Sequence, residues 1–287
     1  MIKLSGLPIK EKVLKEVKEE VGNIILSGGQ PSLATIQVGD DYGSSRYVNN
    51  KIKVSNELNI KSFHFQLDEN ITEKELLNLI YELNEREDVT AILVQLPLPK
   101  HIDEYKIACA IKPEKDADCF NPYNVGRLYL EKEPSILPCT PSGVIDILKS
   151  FTQLEGKSVA VLGRSNIAGK PIAELLIKEN ATVTLLHTRT DEEYKLNVMK
   201  NVDIIVSAIG KAEYIKKEMI GQNQILIDVG INRNSEGKQV GDFDYNDVSN
   251  VAAACTPPIG GTGACTISKL MKNVVACYKL QHITKDN

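Results

Sequence analysis

The first clear pattern in the chain is a stretch of apolar residues at helical spacing, followed by a short apolar run. Across residues 9–26 the apolar side chains recur mostly at intervals of three or four positions, the period of an amphipathic helix. These positions are Ile9, Val13, Val17, Val21, Ile24 and Ile25. Residues 32–38 then read as a strand. The pattern therefore predicts a helix followed by a strand.

This alternation continues through the first half of the chain. We predict a helix over 44–57, a strand over 61–67, a helix over 73–86 with Thr72 as its N-cap, and a strand over 91–94. Strands that alternate with helices in this way favour a parallel sheet with both faces covered.

A proline-rich stretch, residues 112–141, interrupts the alternation and predicts a crossing between domains. A second alternating series follows it, and such a series is typical of a Rossmann-type nucleotide-binding domain. Its strands are predicted over residues 158–163, 182–186, 203–207, 224–228 and 250–254.

The fold class predicted from these patterns is α/β, with two lobes. A length of 287 residues agrees with two domains. We predict a first domain over residues 1–139 and a Rossmann-type domain over 140–265. The last helix, which begins near residue 266 after a glycine-rich turn, is predicted to pack back on the first lobe, so that residues 266–287 complete it.

Composition and charge narrow the class of protein. A formal net charge of −4 is unfavourable for nucleic acid as a main partner. The chain has no apolar run near the roughly 18 residues of a membrane span, and its first residues lack the apolar core of a signal peptide. The six cysteines form no CxxC pair and have no histidine at metal-ligand spacing. We therefore expect a cytoplasmic protein with reduced thiols and no bound metal.

A glycine-containing turn begins the second series and is the first candidate binding site. Gly163, Arg164 and Ser165 follow an apolar strand, and Gly169 opens a helical segment. In that context a helix N-terminus offers free N–H groups to a phosphate. The spacing differs from Gly-x-Gly-x-x-Gly, so an ordinary turn between strand and helix remains an alternative.

The residues after the next strand indicate which nucleotide is bound. An NAD site usually places a carboxylate there, on the ribose 2′-hydroxyl, whereas this chain has His187, Thr188 and Arg189. Arg164, Arg189 and the Thr188 hydroxyl are suited to a 2′-phosphate. This favours NADP over NAD, with Arg189 as a solvated surface charge remaining the alternative.

Four polar residues of the first lobe have no evident packing purpose. Tyr47 and Lys51 are four positions apart and share one face of the predicted helix; Gln95 ends a strand, and Asp118 lies in the proline-rich stretch. Each alone has an ordinary interpretation as a surface, capping or turn residue.

The sequence around these residues resembles the bifunctional methylenetetrahydrofolate dehydrogenase/cyclohydrolase family. The resemblance runs from about residue 30 to residue 275, with the family's motifs in the family's order. The motifs are YVNNK (47–51), VQLPLP (94–99), PEKDAD (113–118), PCTPSG (138–143), GRSNIAG (163–169), DVGIN (228–232) and GDFD (241–244).

The resemblance implies a role for each candidate residue. Lys51 matches the family's catalytic lysine, Tyr47 its partner beside the folate ring, Gln95 the residue that supports the lysine, and Asp118 the carboxylate that binds the pterin. It also implies a homodimer, with folate in the cleft between lobes, in one-carbon metabolism and purine biosynthesis. The further implied substrate-binding residues are Leu96, Pro97, Pro258, Gly260 and Gly261, and the further implied NADP-binding residues are Thr140, Ile167 and Ile231.

The implied reaction has two steps with different needs. Oxidation of methylenetetrahydrofolate leaves a cation that the flanking nitrogens delocalise, so it needs positioning more than a base. Hydrolysis of the methenyl product needs a group that moves protons. Lys51 can do this only if it is partly neutral, which requires that desolvation lowers its pKa from about 10.4.

Several positions depart from the family pattern. Cys119 stands where glycine is usual, Asn121 where histidine is common, and Thr188 where serine is common. The loop over 256–266 keeps its glycines but has Ala264 in place of a proline.

Two other functions remain open from the residues alone. One is a different two-lobed NADP dehydrogenase acting on a small hydroxy or amino acid. The other is a folate- or nucleotide-binding relative without turnover. The four histidines offer no triad with a serine or cysteine, so a hydrolase that uses a covalent nucleophile gains no support.

Overall fold

The computed structural model describes residues 1–40, 42–131 and 135–283, without the side chains of residues 42–46 and 283. Pro134 and the last four residues of the predicted segment 266–287 lie outside the described residues. The chain forms two compact units. Unit 1 comprises residues 1–11 and 138–269, and unit 2 comprises residues 12–137 and the chain from Leu270 onward.

Helices and strands alternate along most of the described chain. The helices are α1 (Leu7–Leu26), α2 (Tyr42–Glu57), α3 (Glu73–Glu85), α4 (Glu104–Ala110), α5 (Pro122–Leu130), α6 (Cys139–Lys149), α7 (Gly169–Lys178), α8 (Glu192–Asn201), α9 (Tyr245–Val248) and α10 (Gly263–Ile283). The strands are β1 (Ile2–Lys3), β2 (Ser32–Val38), β3 (Lys61–Leu67), β4 (Ala91–Val94), β5 (Ser158–Leu162), β6 (Thr182–Leu186), β7 (Ile204–Ser207), β8 (Ile225–Asp228), β9 (Asn232–Arg233), β10 (Gln239–Val240) and β11 (Ala254–Cys255).

Unit 2 contains a parallel sheet in the order β3-β2-β4. Every residue of the central strand β2 is buried, as expected for a strand with neighbours on both sides and both faces covered. Leu76, Ile80 and Leu83 of α3 are fully buried in the core of this sheet. The helix starts where predicted, with Thr72 and Glu75 forming a reciprocal capping box. The predicted parallel sheet is confirmed.

The C-terminal part of α10 belongs to unit 2, which confirms the predicted return of the last helix. Asn273 donates its side-chain amide to the carbonyls of Ala117 and Leu137, at 2.8 and 2.7 Å. Gln281 donates to the carbonyls of Thr90 and Glu114, at 2.7 and 3.0 Å. These bonds give backbone carbonyls of unit 2 side-chain partners and so attach the helix to the loops that contain them.

Unit 1 contains a parallel six-stranded sheet in the order β1-β11-β8-β7-β5-β6. Consecutive strands lie on both sides of β5, which is the doubly wound arrangement predicted from the second alternating series. The fold class is therefore α/β, as the sequence indicates.

One predicted strand of unit 1 was wrong in its bounds. Residues 250–253 lie outside the sheet, and only Ala254 and Cys255 enter it as β11. This strand is paired on one side with β8 and on the other with β1, which the sequence did not predict. The strands β1 and β11 are each two residues long, which is too short for a periodic pattern. Pairing with residues distant in the sequence therefore decides their position.

Within the described residues, no helix combines the length and apolar character needed to cross a membrane.

Candidate active site

Lys51 and Gln95 are brought together in unit 2. Lys51 lies on α2, and Gln95 follows the last residue of β4. The Lys51 Nζ atom donates a hydrogen bond to Gln95 Oε1 at 2.8 Å. Lys51 is only 9% exposed, which is unusual for a lysine. The buried amine thus has a neutral amide oxygen as its acceptor in this bond, and a positioned lysine amine is one of the groups that can transfer protons in catalysis.

The Gln95 side chain has a defined orientation. Its Nε2 atom donates to the carbonyl of Leu96 at 2.7 Å, so its Oε1 atom faces Lys51. Leu96 precedes Pro97, and the peptide bond between them is cis. Tyr47, one helical turn before Lys51, is 44% exposed. The helix thus presents an accessible aromatic ring beside a buried amine.

Asp118 lies in the loop that follows α4 and contributes to a second part of this region. Together with Leu96, Asp116 and Phe120 it lines a small cavity of about 30 Å³. The preceding Ala117 accepts from Asn273 and donates to Ile92, which ties the loop to α10 and to β4. The structure therefore brings Asp118 to the same cavity as Leu96, the residue that orients Gln95.

Asp116 is a buried carboxyl beneath this loop. It is 2% exposed and accepts hydrogen bonds from the backbone of Phe120 and Asn121 and from the Asn124 side chain. Burial raises the pKa of this carboxyl against the lowering effect of those hydrogen bonds. Asp116 and Asn124 are structural parts of the site that the sequence analysis did not identify.

The two departures from the family pattern in this loop have different local roles. Cys119 has a φ of 62°, a left-handed conformation that glycine adopts readily and that explains the family's preference. Asn121 is the N-cap of α5, where its side-chain oxygen accepts from the backbone of Tyr123 at 2.8 Å. Its amide also donates to the carbonyl of Ile111 at 2.8 Å. Asparagine therefore stabilises the loop through contacts of its own.

The glycine turn of unit 1 has the close packing that a nucleotide-binding turn requires. Gly163 has a φ of 108°, and a Cβ there would overlap the carbonyl of Ala208. A Cβ on Gly169 would overlap the carbonyl of Gly163. Both positions therefore require glycine. Helix α7 begins at Gly169, so its N-terminus, with free backbone N–H groups, directly follows the turn.

A cavity of about 390 Å³ lies beside this turn. Of the predicted nucleotide-binding residues, it is lined by Gly163, Arg164, Ser165 and Thr188. Four others are not among the described residues of its wall: Thr140, Ile167, Arg189 and Ile231. The lining residues that the sequence analysis did not single out for this site are Leu162, Leu186, His187, Glu192, Lys195, Ala208, Ile209, Lys211 and Tyr214.

The predicted residues outside this wall have other contacts or remain exposed. Thr140 shares a hydrogen bond of 3.0 Å with Thr266 through their hydroxyl groups. The backbone N–H of Arg189 donates to the His187 ring. Ile167 and Ile231 are 49% and 52% exposed, so both apolar side chains are accessible to a ligand.

Two buried carboxylates hold the loops at the ends of β7 and β8. Asp242 accepts four hydrogen bonds, from Ser207, Ile209, Lys211 and Asn232. Two of these donors are backbone groups of the cavity wall, at Ile209 and Lys211. The GDFD motif thus supplies a carboxylate that shapes the cavity wall, and Asn232 of the DVGIN motif is one of its donors, a role which only the folded chain reveals.

Asp228 is the partner of this carboxylate. It accepts from the backbone of Gly230, Asp242 and Phe243, each at 3.0 Å. A Cβ on Gly230 would overlap Asp242, and a Cβ on Gly241 would overlap Asp228. Burial raises the pKa of Asp228 to about 7. The glycines of both motifs are therefore required by the space that the two carboxyl groups occupy.

The remaining predicted substrate-binding residues belong to a loop of unit 1. Gly260 has a φ of 78°, and its carbonyl accepts from the backbone of Gly6 at 2.8 Å. A Cβ on Gly261 would overlap the carbonyl of Pro257, and Pro258 accepts from the Gln239 side chain. The loop keeps its glycine-dependent shape, and α10 begins at Gly263, one residue before Ala264.

The cysteines and the acidic residues of the described chain form no evident metal centre: no three potential ligands cluster within it. All six cysteines are free and five are buried. Cys265 is fully buried, and burial raises the pKa of its thiol to about 11. Its environment is that of a packed side chain.

Comparison with known proteins identifies the family of this chain. Residues 4–118 match the family described as "Tetrahydrofolate dehydrogenase/cyclohydrolase, catalytic domain", and residues 138–282 match its NAD(P)-binding domain. The chain belongs to this family. It is therefore an enzyme with a catalytic domain and an NAD(P)-binding domain, as the motif resemblance implied.

Relatives in this family are similar over nearly their full length. The bifunctional protein FolD of Acetivibrio thermocellus is 48% identical over 97% of each chain, and that of Listeria innocua is 45% identical over 96% of each. The crystal structure of the bifunctional FolD of Campylobacter jejuni is 41% identical, with a TM-score of 0.94 over 98% of this chain and 99% of the other. A Trypanosoma brucei FolD structure, complexed with NADP and an inhibitor, is 38% identical with a TM-score of 0.92 over 98% of each chain.

Proposed function

We propose that this enzyme oxidises 5,10-methylenetetrahydrofolate to 5,10-methenyltetrahydrofolate with NADP⁺ and hydrolyses the product to 10-formyltetrahydrofolate. The observation that supports it best is the buried Lys51 amine, hydrogen-bonded to Gln95 at 2.8 Å. The family membership of both domains and the bifunctional relatives support both activities.

NADP is the proposed redox partner, since it accepts the hydride that the methylene carbon loses. The cavity in unit 1 suits a phosphorylated nucleotide, because Arg164 contributes positive charge to its wall and the closely packed glycine turn leads into the N-terminus of α7. The residues directly after β6 are His187 and Thr188, with no carboxylate to repel a 2′-phosphate. The NADP complex of the Trypanosoma brucei relative supports the same choice.

Lys51 carries the hydrolysis step in this proposal. Water adds to the methenyl carbon as neutral Lys51 accepts one of its protons. The bond between that carbon and the ring nitrogen N5 then breaks, the nitrogen receives a proton from the Lys51 ammonium, and the hydroxyl proton leaves to solvent as the formyl group forms. One proton is released overall. Such a positioned acid/base group typically contributes about 100- to 10,000-fold in rate.

The neighbouring residues position the substrate. Gln95 orients Lys51, and Tyr47 offers its exposed ring to the folate. The Asp118 carboxylate accepts from the adjacent N–H donors of the pterin, a geometry that suits a carboxylate. The other residues proposed to contact folate are Leu96, Pro97, Pro258, Gly260 and Gly261, and those proposed to contact NADP are Thr140, Gly163, Arg164, Ser165, Ile167, Thr188, Arg189 and Ile231.

A spectrophotometric assay with the Lys51→Met variant tests this proposal. The wild-type enzyme should reduce NADP⁺ with little accumulation of the methenyl product. In Lys51→Met the cyclohydrolase activity should fall by about 100-fold or more, and the dehydrogenase activity should fall by less. Lys53→Met is the matched control, because Lys53 lies on the same helix with a side chain 74% exposed. Normal hydrolysis of methenyltetrahydrofolate by Lys51→Met would falsify the role of this residue.

Folate binding gives a second readout of the same proposal. Asp118→Ala should weaken tetrahydrofolate binding in a titration while leaving nucleotide binding unchanged. A folded wild-type protein that binds folate but reduces neither NADP⁺ nor NAD⁺ would instead be a relative without turnover.

The domain division, location and assembly follow from the same proposal. The catalytic domain comprises residues up to 139 and the C-terminal helix from 266, and the nucleotide domain comprises 140–265. Residues 1–11 are the exception to this division: we assign them to the nucleotide domain, because β1 pairs with β11. The enzyme acts in the cytoplasm as a homodimer and supplies one-carbon units for purine biosynthesis. Light scattering of the purified protein measures the assembly.

A further inference from the structure

Two charged residues of α8 line the nucleotide cavity. Lys195 and Glu192 lie one turn apart at the start of this helix, and both belong to the cavity wall with His187 and Thr188. The Lys195 Nζ atom forms an ion pair with Glu192 Oε2 at 2.5 Å. The Lys195 side chain is 14% exposed, whereas that of Glu192 is 62% exposed. The lysine is therefore held in the wall while the carboxylate extends into water.

The charge of this wall suits an anion. Its described residues include the cations Arg164, Lys195 and Lys211, and Glu192 is the one carboxylate among them. The Nζ atom of a lysine has three N–H donors, so its bond to Glu192 leaves donors for a second acceptor. A phosphate carries more charge than a carboxylate and offers more acceptor oxygens, so it competes well for this ammonium group.

The position of this pair indicates which phosphate it meets. In Rossmann-type domains the residues after the second strand of the first βαβ unit recognise the ribose 2′ position. Here that strand is β6, and His187 and Thr188 follow it in the same wall as Lys195. Arg189, which the sequence favours for the same role, is not among the described lining residues.

We propose that Lys195 binds the 2′-phosphate of NADP and that Glu192 is its counter-ion in the free enzyme. Lys195 is thereby a determinant of the preference for NADP over NAD. This inference rests on one part of the proposed function, namely that the cavity in unit 1 binds the nucleotide. Because Glu192 is largely exposed, its carboxylate can turn into water when the phosphate arrives, at little cost.

Calorimetric titration with two small nucleotides tests the proposal without folate chemistry. Adenosine 2′,5′-bisphosphate carries the 2′-phosphate, and 5′-AMP lacks it. Lys195→Met should weaken binding of the bisphosphate by about 10- to 100-fold, as expected for a lost charge-assisted hydrogen bond, and leave 5′-AMP unchanged. Glu192→Gln should bind the bisphosphate at least as tightly as the wild-type enzyme. Lys200→Met, an exposed change on the same helix, is the matched control and should alter neither affinity.

Two results overturn the proposal. In one, Lys195→Met binds the bisphosphate as the wild-type enzyme does. In the other, Lys195→Met loses affinity for both nucleotides equally, which indicates a change in cavity shape. Circular dichroism and retained binding by Lys195→Arg distinguish that result from unfolding of the variant. Weaker bisphosphate binding by Glu192→Gln overturns the counter-ion role.

The same titration separates this inference from the proposed function. A wild-type protein that prefers the bisphosphate, through Lys195, but shows no turnover of methylenetetrahydrofolate would support the inference and contradict the function. A wild-type protein that binds the two nucleotides equally would contradict the choice of NADP and this inference together.

Discussion

Asp228, at the end of β8, is a buried carboxyl group that we predict to make the free energy of unfolding depend on pH. It is 6% exposed, and burial raises its pKa to about 7 from an ordinary 3.8. Backbone hydrogen bonds from Asp242, Phe243 and Gly230 act in the opposite direction, and the charge of Asp242 raises the pKa again. The folded protein therefore binds this proton more tightly than the unfolded chain does.

The sign and size of the effect follow from this difference. The stabilisation by the bound proton is complete below the unfolded pKa of 3.8 and is lost as the pH rises through about 7. Within this window each pH unit removes about 1.4 kcal/mol. From pH 5 to pH 8 this carboxyl group should lower the free energy of unfolding by about 3 kcal/mol. Asp116, whose pKa burial also raises, adds a loss of the same sign.

Urea unfolding at several values between pH 5 and pH 8 measures this loss. Asp228→Asn cannot titrate, so its free energy of unfolding should fall about 3 kcal/mol less than that of the wild-type protein. Asp247→Asn is the control, because the pKa of the half-buried Asp247 is lowered, chiefly through a hydrogen bond from the backbone of Lys217. It should keep the wild-type decrease. The reasoning is refuted if Asp228→Asn and the wild-type protein show the same pH dependence within error.

Two further substitutions test the site and its framework. Gln95→Leu removes the acceptor 2.8 Å from Lys51 Nζ, so cyclohydrolase activity should fall about 10- to 100-fold. The affinity for the nucleotide, measured by titration, should be unchanged; an equal loss of nucleotide binding would indicate a general structural defect. Gly163→Ala should lower the thermal midpoint and weaken NADP binding, because its φ of 108° and a nearby carbonyl exclude a side chain. Gly22→Ala is the control for Gly163→Ala, because Gly22 lies within α1 and no atom is near the added methyl group. It should instead stabilise the protein by up to about 1 kcal/mol. A similar effect of Gly163→Ala and Gly22→Ala would contradict the argument.

The local elements of this fold could be predicted from the sequence because their signals are local. The strands β2, β3, β4 and β6 have the predicted bounds, and α3 begins after the predicted Thr72 cap. Apolar runs and capping residues act over a few positions, so a single segment contains the whole signal. The predicted bounds of the strand at residues 250–254 were wrong, because only Ala254 and Cys255 pair with β8 and β1.

The candidate catalytic residues show the same division. Tyr47 and Lys51 share a helix, and their spacing alone places them on one face. The bond between Lys51 and Gln95 joins residues 44 positions apart, and no spacing rule predicts it. The motif resemblance indicated these residues, while burial of the amine and orientation of the amide became visible only in the folded chain.

The sequence by itself determined the alternation of helices and strands, the α/β class and the motifs that define the family. Only the tertiary structure decided that Asp228 and Asp242 pack together, that Gly230 and Gly241 make room for them, and that Lys195 lines the nucleotide cavity. The physical reason is that periodicity and capping depend on neighbours along the chain. Desolvation, hydrogen bonds between distant residues and the charge of a cavity depend instead on groups that meet only when the chain has folded.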